Sequence, residues 1–306
     1  MKAVRLHEPT GIDGLVYEDV PDAEPGLSEV LIRVAGCGIT HNELDWPVWT
    51  CRAGHKRTSI IPGNEVSGVV VGLGFGAAGF AVGDEVFGLT DQLRDGAAAE
   101  FVAVEQRNLA LKPRTLDHVQ AAAVPRAGLT AWQALFDHGK LAAGQTVVIH
   151  GAGGAVGSVA VQLAHWAGAI VIGTGRGHSR ALATEMGADR YVALDTDRLE
   201  DLAGQADLVV DTIGGEVLAA SADLLREGGR LVTIKAAFDF PPGRDDVEKI
   251  VFVQVSDRNQ LAELARLIDD GTLRPPVSEV YPLADAIKGF SAKAAGGLPG
   301  RIVLQP

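Results

Sequence analysis

The sequence predicts an α/β chain in which a doubly wound parallel sheet is set into a compact, mostly antiparallel, barrel-like unit. Three observations predict it. Over the first hundred residues, short β-type runs are broken repeatedly by Gly and Pro, as closely connected strands require. From about Leu116, strand and helix signals alternate, which calls for parallel strands joined by crossover helices. The last forty residues return to Pro-punctuated strands, so the barrel-like unit takes both chain ends.

In chain order, Val30–Val34 follows the turn-like Glu24-Pro25-Gly26, and Glu65–Val71 follows Pro62-Gly63. Gly83-Asp84 turns into Glu85–Gly88, and Ala98–Val104 comes next. Ala121–Val124 and Thr130–His138 read as helical. Six strand-like runs then appear: Thr146–His150, Ile170–Thr174, Tyr191–Leu194, Leu208–Val210, Arg230–Ile234 and Ile250–Val255. Helical stretches at Ser158–Ala167, Arg180–Met186, Glu216–Leu225 and Leu261–Ile268 fit between or after them. Val159, Ala160, Leu163 and Ala167 share one helix face, and Gly187 stops the second helix. Tyr281–Leu283 and Arg301–Leu304 close the chain. The expected domains are 1–120 with 265–306, and 121–264.

Composition bounds the function. The 306 residues are 47% hydrophobic and 22% charged, enough for one large or two medium domains with a sizeable core. A net charge of −12 argues against a duplex nucleic-acid partner, which selects a basic stripe. No apolar run approaches the roughly 20 residues of a membrane span, and MKAVRLHEPTGID lacks the apolar core of a signal peptide. Two cysteines make no disulfide framework, so a reducing cytoplasm is the expected location.

The strongest site signal is VVIHGAGGAVGSVAVQLA, Val147–Ala164. An apolar strand runs into Gly151, Gly154 and Gly157 and straight on into an amphipathic helix. Glycines let the backbone approach a pyrophosphate, and free N–H groups at the helix start, those of Ala155 and Val156 among them, stabilise its charge. The spacing is G-x-x-G-x-x-G, so the strand-turn-helix context carries the assignment. After the second strand, Thr174 to Arg180 contains no acid to accept from ribose hydroxyls; it offers Arg176, Ser179 and Arg180 instead. Guanidinium groups suit a 2′-phosphate, so the expected cofactor is NADP(H).

Residues 37–55 pose a separate question. Cys37 and Cys51 are each followed four positions later by a histidine, His41 and His55, the donor types of a tetrahedral zinc site. Glu43, Asp45 and Glu65 add carboxylates. Cys37 near a strand end and His41 past a bend need not face one way, and a buried Cys is an ordinary packing residue. No metal is expected, with a site of these four residues as the alternative. Trp46 and Trp49 flank the same loop as candidate walls of an aromatic acceptor pocket.

Together, PGNEVSGVVVGLG (62–74), VGDEVFGL (82–89), GLTAWQAL (128–135), the glycine turn, MGAD (186–189), DLVVDTIGG (207–215), GGRLVTI (228–234) and GRIVL (300–304) resemble a known family. It is the medium-chain dehydrogenase/reductases, in the zinc-free quinone oxidoreductase branch that includes zeta-crystallin. The resemblance covers essentially the whole chain. It implies a GroES-like barrel enclosing a Rossmann-type domain, nicotinamide in the cleft, a homodimer, and hydride transfer from NADPH to a quinone or activated alkene. It implies that Thr130, Phe252 and Val253 lie beside the nicotinamide. The zinc branch has Cys where this chain has Thr40, and His where it has Asn64; neither replacement is a good zinc ligand. Thr40, His41, Asn42 and Asn64 are the candidate catalytic donors for a developing oxyanion. The family's tyrosine near the adenine is matched to Leu194. Two alternatives stand beside the reductase: a zinc alcohol dehydrogenase, and a protein that binds NADPH for a structural or sensory purpose.

Overall fold

Val147, Val148 and Ile149 are fully buried, and Thr146–His150 forms an inner strand of a six-stranded sheet. In the computed structural model the sheet order is Arg190–Ala193, Ile170–Gly175, Thr146–His150, Ala206–Asp211, Leu225–Thr233, Glu248–Val251. All neighbours run parallel. The strand order reverses beside Thr146–His150, which is the doubly wound arrangement. The structure describes residues 1–8, 10–40, 43–46, 51–52, 55–57, 59–235, 240, 243–275, 277–296, 298 and 300–306, with 51, 52, 55 and 56 as backbone.

The chain divides into two compact units, Met1–Arg126 with Ser256–Gly271 and Pro275–Pro306, and Ala127–Val255 with Thr272–Arg274. The first unit is built on Glu29–Ile39, an 11-residue strand that pairs antiparallel with Glu65–Leu73, Phe101–Glu105 and Arg301–Gln305. Glu85–Leu89 and Leu109–Leu111 extend the sheet on one side, and Val277–Pro282 on the other. Val30, Ile32, Val66, Val70, Val86 and Ile302 belong to its buried apolar core. Register shifts along Glu29–Ile39 bend the strand, and a Cβ at Gly68 would lie 2.2 Å from the Arg33 carbonyl.

Several boundaries moved for local reasons. The hairpin of Lys2–Leu6 with Leu15–Asp19 carries no period-two signal in the sequence, because the neighbours Ala3 and Val4 are both buried and Val16 and Tyr17 both exposed. The stretch read as helix Glu216–Leu225 is an α-helix only over Gly215–Ala220. A 3-10 turn, Ser221–Leu224, follows, and Leu225 already belongs to the next strand. Thr130–His138 is the end of a helix that starts at Pro125, where a missing N–H does no harm. It continues as a π-helical turn, Gln133–His138. The run Ile250–Val255 is paired only as far as Val251. No helix among the described residues is long and apolar enough to cross a membrane.

The DTIGG landmark has a structural job in the second unit. Asp211 is fully buried at the end of its strand and accepts from Ile213 N, Gly214 N and, at 2.8 Å, Thr233 Oγ1. Its carboxylate closes the turn after the strand and ties it to the neighbouring strand. Thr233→Val keeps the shape and removes one charge-assisted bond, so urea unfolding should show a loss of about 1.5–3 kcal/mol. An unchanged midpoint and slope would remove Asp211 from the list of fold determinants.

Candidate active site

The glycine turn is built as its sequence requires. Gly151 takes φ +76°, and its N–H and that of Ala152 both donate to the Thr174 carbonyl at 2.9 and 3.0 Å. A Cβ at Gly157 would lie 2.0 Å from the Gly151 carbonyl, and one at Gly153 would strike Ser179 at 2.5 Å. Gly154 caps helix Ala155–Trp166 without a side-chain bond, and the first intrahelical bond runs from Ser158 N to Gly154 O. The amides of Ala155, Val156 and Gly157 therefore stand free of the helix ladder, in the arrangement that binds pyrophosphate. The cradle fits a dinucleotide.

The candidates after the second strand divide. The Thr174 side chain is fully buried and bonds His150 Nδ1 at 2.7 Å, so this residue shapes the turn through its carbonyl. His150 bonds Ser221 Oγ on its other side, and burial pushes its pKa well down, leaving a neutral ring as a structural pin. Arg180 lies along the Tyr191 ring, donates to the Tyr191 carbonyl and pairs with Asp197 at 3.1 Å. Arg176 is exposed and forms no ion pair among the described residues. The Tyr191 side chain reaches this turn, donating its hydroxyl to the Arg176 carbonyl at 2.8 Å, while Leu194 bonds the Gly175 carbonyl through its backbone N–H. Asp195 accepts from Gly177 N at 3.0 Å; as it follows the third strand, the local search for an acid overlooked it. Thr130 is buried on helix Pro125–Trp132, Phe252 packs its ring on His138 with centroids 4.5 Å apart, and Val253 is exposed.

In the first unit, a buried cluster of charge surrounds Thr40 and Asn64. Glu65 is fully buried; its Oε1 accepts from Arg126 N at 3.0 Å, and its Oε2 lies 2.9 Å from Arg301 Nη2. Arg301 Nη1 donates to Thr40 Oγ1 at 3.0 Å, while its Nε finds no acceptor among the described residues. Glu43 accepts from Thr40 N and Gly63 N, bracing the two segments, and burial pushes its carboxyl pKa up. Asn64 Nδ2 donates to the Thr90 carbonyl at 2.7 Å, which turns Oδ1 toward Arg126 Nε and Nη2. Trp46 covers the guanidinium of Arg126, 4.6 Å from ring centroid to Cζ. A cavity of about 160 Å³ opens beside Thr40, Glu43 and Asp45, with Phe290 and Lys293 opposite.

Asn64 is thus 1% exposed with its amide committed, so it holds a neighbour and offers no donor to a substrate. His41, Asn42 and Trp49 lie outside the described residues, as do the side chains of Cys51 and His55. Cys37 is fully buried, and burial pushes its thiol pKa well up, as expected of a packing residue. The donor set at Thr40 and Asn64 does not suit zinc. Both oxygens already accept from guanidinium groups, whose charge opposes a divalent cation. Sequence reasoning missed Arg126, Arg301 and Lys293. Arg126 was findable as a lone charge inside the apolar run AAAVPRAGLTAW.

Comparison with known proteins places this architecture. Residues 26–114 match the alcohol dehydrogenase GroES-like domain, and residues 186–304 match the zinc-binding dehydrogenase family. The chain is 30% identical to the NADPH-dependent alkenal/one oxidoreductase, chloroplastic, of Arabidopsis thaliana, covering 100% of this chain and 80% of that protein. It is 30% identical to the quinone oxidoreductase of Rattus norvegicus over 99% of this chain and 97% of that one. The solved quinone oxidoreductase from Coxiella burnetii superposes with a TM-score of 0.91 at 26% identity, covering 100% and 99% of the two chains. The chain belongs to the medium-chain dehydrogenase/reductase family.

Lys293 gives the cluster a measurable signature. Burial first, then the Arg301 charge, lowers its pKa from 10.5 to about 8, against the opposing pull of Glu65. Between those two values the unfolded chain holds the extra proton, so this residue makes folding stability rise with pH across that window. Lys293→Met removes the effect. The difference in unfolding free energy, wild type minus variant, should increase from about pH 7 to about pH 10; a flat difference would mean that the ammonium is solvated.

Proposed function

We propose that the chain is an NADPH-dependent, zinc-independent oxidoreductase that delivers hydride to a quinone or to the conjugated double bond of an enone or alkenal. The observation that carries the reaction type is the pair of guanidinium groups bonded to Thr40 and Asn64, where a metal-dependent relative needs anionic or imidazole donors. Full-length similarity to relatives named for alkenal/one and quinone reduction supports the acceptor class.

Bound NADPH supplies the hydride. In the second unit the free amides of Ala155, Val156 and Gly157 bind and orient the pyrophosphate, and the close approach depends on Gly151, Gly153 and Gly157. Arg176, exposed and without an ion pair among the described residues, is the cation for the 2′-phosphate, with Ser179 beside it. Arg180 supports that turn through Tyr191 and Asp197. Thr130, Phe252 and Val253 serve the nicotinamide end in this reading, and Trp46 and Thr40 line the acceptor side. A homodimer forms through the open sheet edge at Glu248–Val251, where Val251, Val253 and Val255 are exposed. The cytoplasm remains the proposed location, on the two-cysteine composition.

The test is NADPH oxidation, followed at its near-ultraviolet absorbance, with a quinone and with a cyclic enone, each in excess chelator. Turnover that chelator leaves unchanged is the expected result. Silence reversed by added zinc would overturn the metal-free reading, and NADPH binding without any turnover would favour a structural or sensory role. Arg176→Ala should weaken NADPH about 10- to 100-fold and NADH hardly at all, as loss of one charge-assisted phosphate contact predicts. Equal weakening of both would move the phosphate site elsewhere.

A further inference from the structure

Of the four donors that sequence selects at the acceptor site, Thr40 and Asn64 are occupied, and His41 and Asn42 lie outside the described residues. Asn64 gives its N–H groups to Thr90 and its oxygen to Arg126. Thr40 accepts from Arg301 and directs its one proton toward Glu65 Oε2 at 3.4 Å. Lys293 gives a hydrogen bond to the Gly300 carbonyl at 2.9 Å.

Arg126 is different. Its Nε and Nη2 are held edge-on by Asn64 Oδ1, Trp46 covers one face, and its backbone N–H is anchored on Glu65. Nη1 makes no hydrogen bond among the described residues, and the side chain is only partly buried. The group is therefore a fixed cation whose Nη1 N–H groups are unused among the described residues. Burial lowers its pKa to about 10, with Glu65 and Glu43 opposing that shift and Arg301 assisting it, so it remains charged at neutral pH. It offers charge and a hydrogen bond, and it keeps its protons.

We propose that Arg126 is the electrophilic group of the acceptor site: Nη1 donates to the carbonyl oxygen of the quinone or enone, and the guanidinium stabilises the oxyanion that hydride addition creates. This assignment rests on the reductase reading above. The electrons balance without a metal. Hydride brings its pair to the β-carbon of an enone, the carbon–carbon π pair moves toward the carbonyl, and the negative charge settles on oxygen beside Arg126. A proton from water completes the saturated ketone, while the nicotinamide has lost two electrons and one hydrogen. With a quinone the same charge resides on a hydroquinone oxygen. A preformed cation aimed at that oxygen does the work that a Lewis-acid metal does in other members of this reaction class.

The experiment compares wild type with Arg126→Lys, Arg126→Gln and Arg126→Ala, each checked for folding by circular dichroism and for NADPH binding by fluorescence. Arg126→Gln should lower kcat/KM for a cyclic enone by about 10²- to 10³-fold, as loss of an oxyanion donor does, with NADPH affinity within about threefold of wild type. Arg126→Lys should fall between, and guanidinium in solution should restore part of the Arg126→Ala activity. A second readout needs no turnover: wild type should bind 4-nitrophenol as its yellow phenolate and lower its half-ionisation pH, and Arg126→Gln should not. Loss of that phenolate shift in the variant supports the assignment even if wild type reduces neither acceptor, a result that would sink the reductase reading alone. Turnover by Arg126→Gln within about fivefold of wild type, or identical nitrophenol titrations in the two proteins, would overturn the proposal. So would a loss of Arg126→Ala activity that tracks lost folding and that guanidinium does not restore.

Discussion

The first unit is organised by the need to neutralise a buried carboxylate. Glu65 and Arg301 are 0% and 3% exposed, and an ion removed from water this completely must be matched by opposite charge and hydrogen bonds. Satisfying it draws four separated chain segments together: the strand that starts at Glu65, the final strand at Arg301, the end of the long strand at Thr40, and the helix start at Arg126. Glu43 repeats the device on backbone amides, tying Thr40 to Gly63. Such a cluster contributes little net stability, because desolvation offsets most of the Coulomb attraction. Its effect is on geometry: removing one partner leaves a buried charge uncompensated.

The second unit is held by a different constraint, backbone proximity. Gly151, Gly153 and Gly157 are glycine because the Gly151 carbonyl, Thr212 Oγ1 and Ser179 occupy the space a Cβ would take. The buried Asp211 and His150 sit side by side at the ends of adjacent strands and bond to turn amides, Thr233, Thr174 and Ser221. These polar pins lie at the strand ends from which the helices and turns depart, where doubly wound folds place their ligands. Free backbone amides at one helix start are what remains for a phosphate.

Charge placement unites the two halves of the functional reading. In the turn after Ile170–Gly175 and around Thr40, arginines come in pairs, one committed and one with capacity left. Arg180 and Arg301 are bound to carboxylates, whereas Arg176 and the Nη1 of Arg126 are not. The committed member fixes the local backbone, and its neighbour keeps donor capacity among the described residues. The proposed ligands at the two places, a phosphate and a developing oxyanion, both suit a guanidinium donor.

Sequence by itself determined what short-range physics controls. Strand and helix alternation from Thr146 onward, the glycine turn and the absence of zinc-type donors at Thr40 and Asn64 are local patterns of apolar periodicity, backbone freedom and donor chemistry. Tertiary structure decided which side chains were still free. Asn64 and Thr174 read as available and are consumed by Thr90, Arg126 and His150, residues 24 to 62 positions away. Arg126 and Arg301 entered no sequence-based site, yet they converge on Glu65 across 61 and 236 residues of sequence. Hydrogen-bond capacity is finite and filled by whichever partner the fold brings near, so long-range pairing settles which donor remains for a ligand.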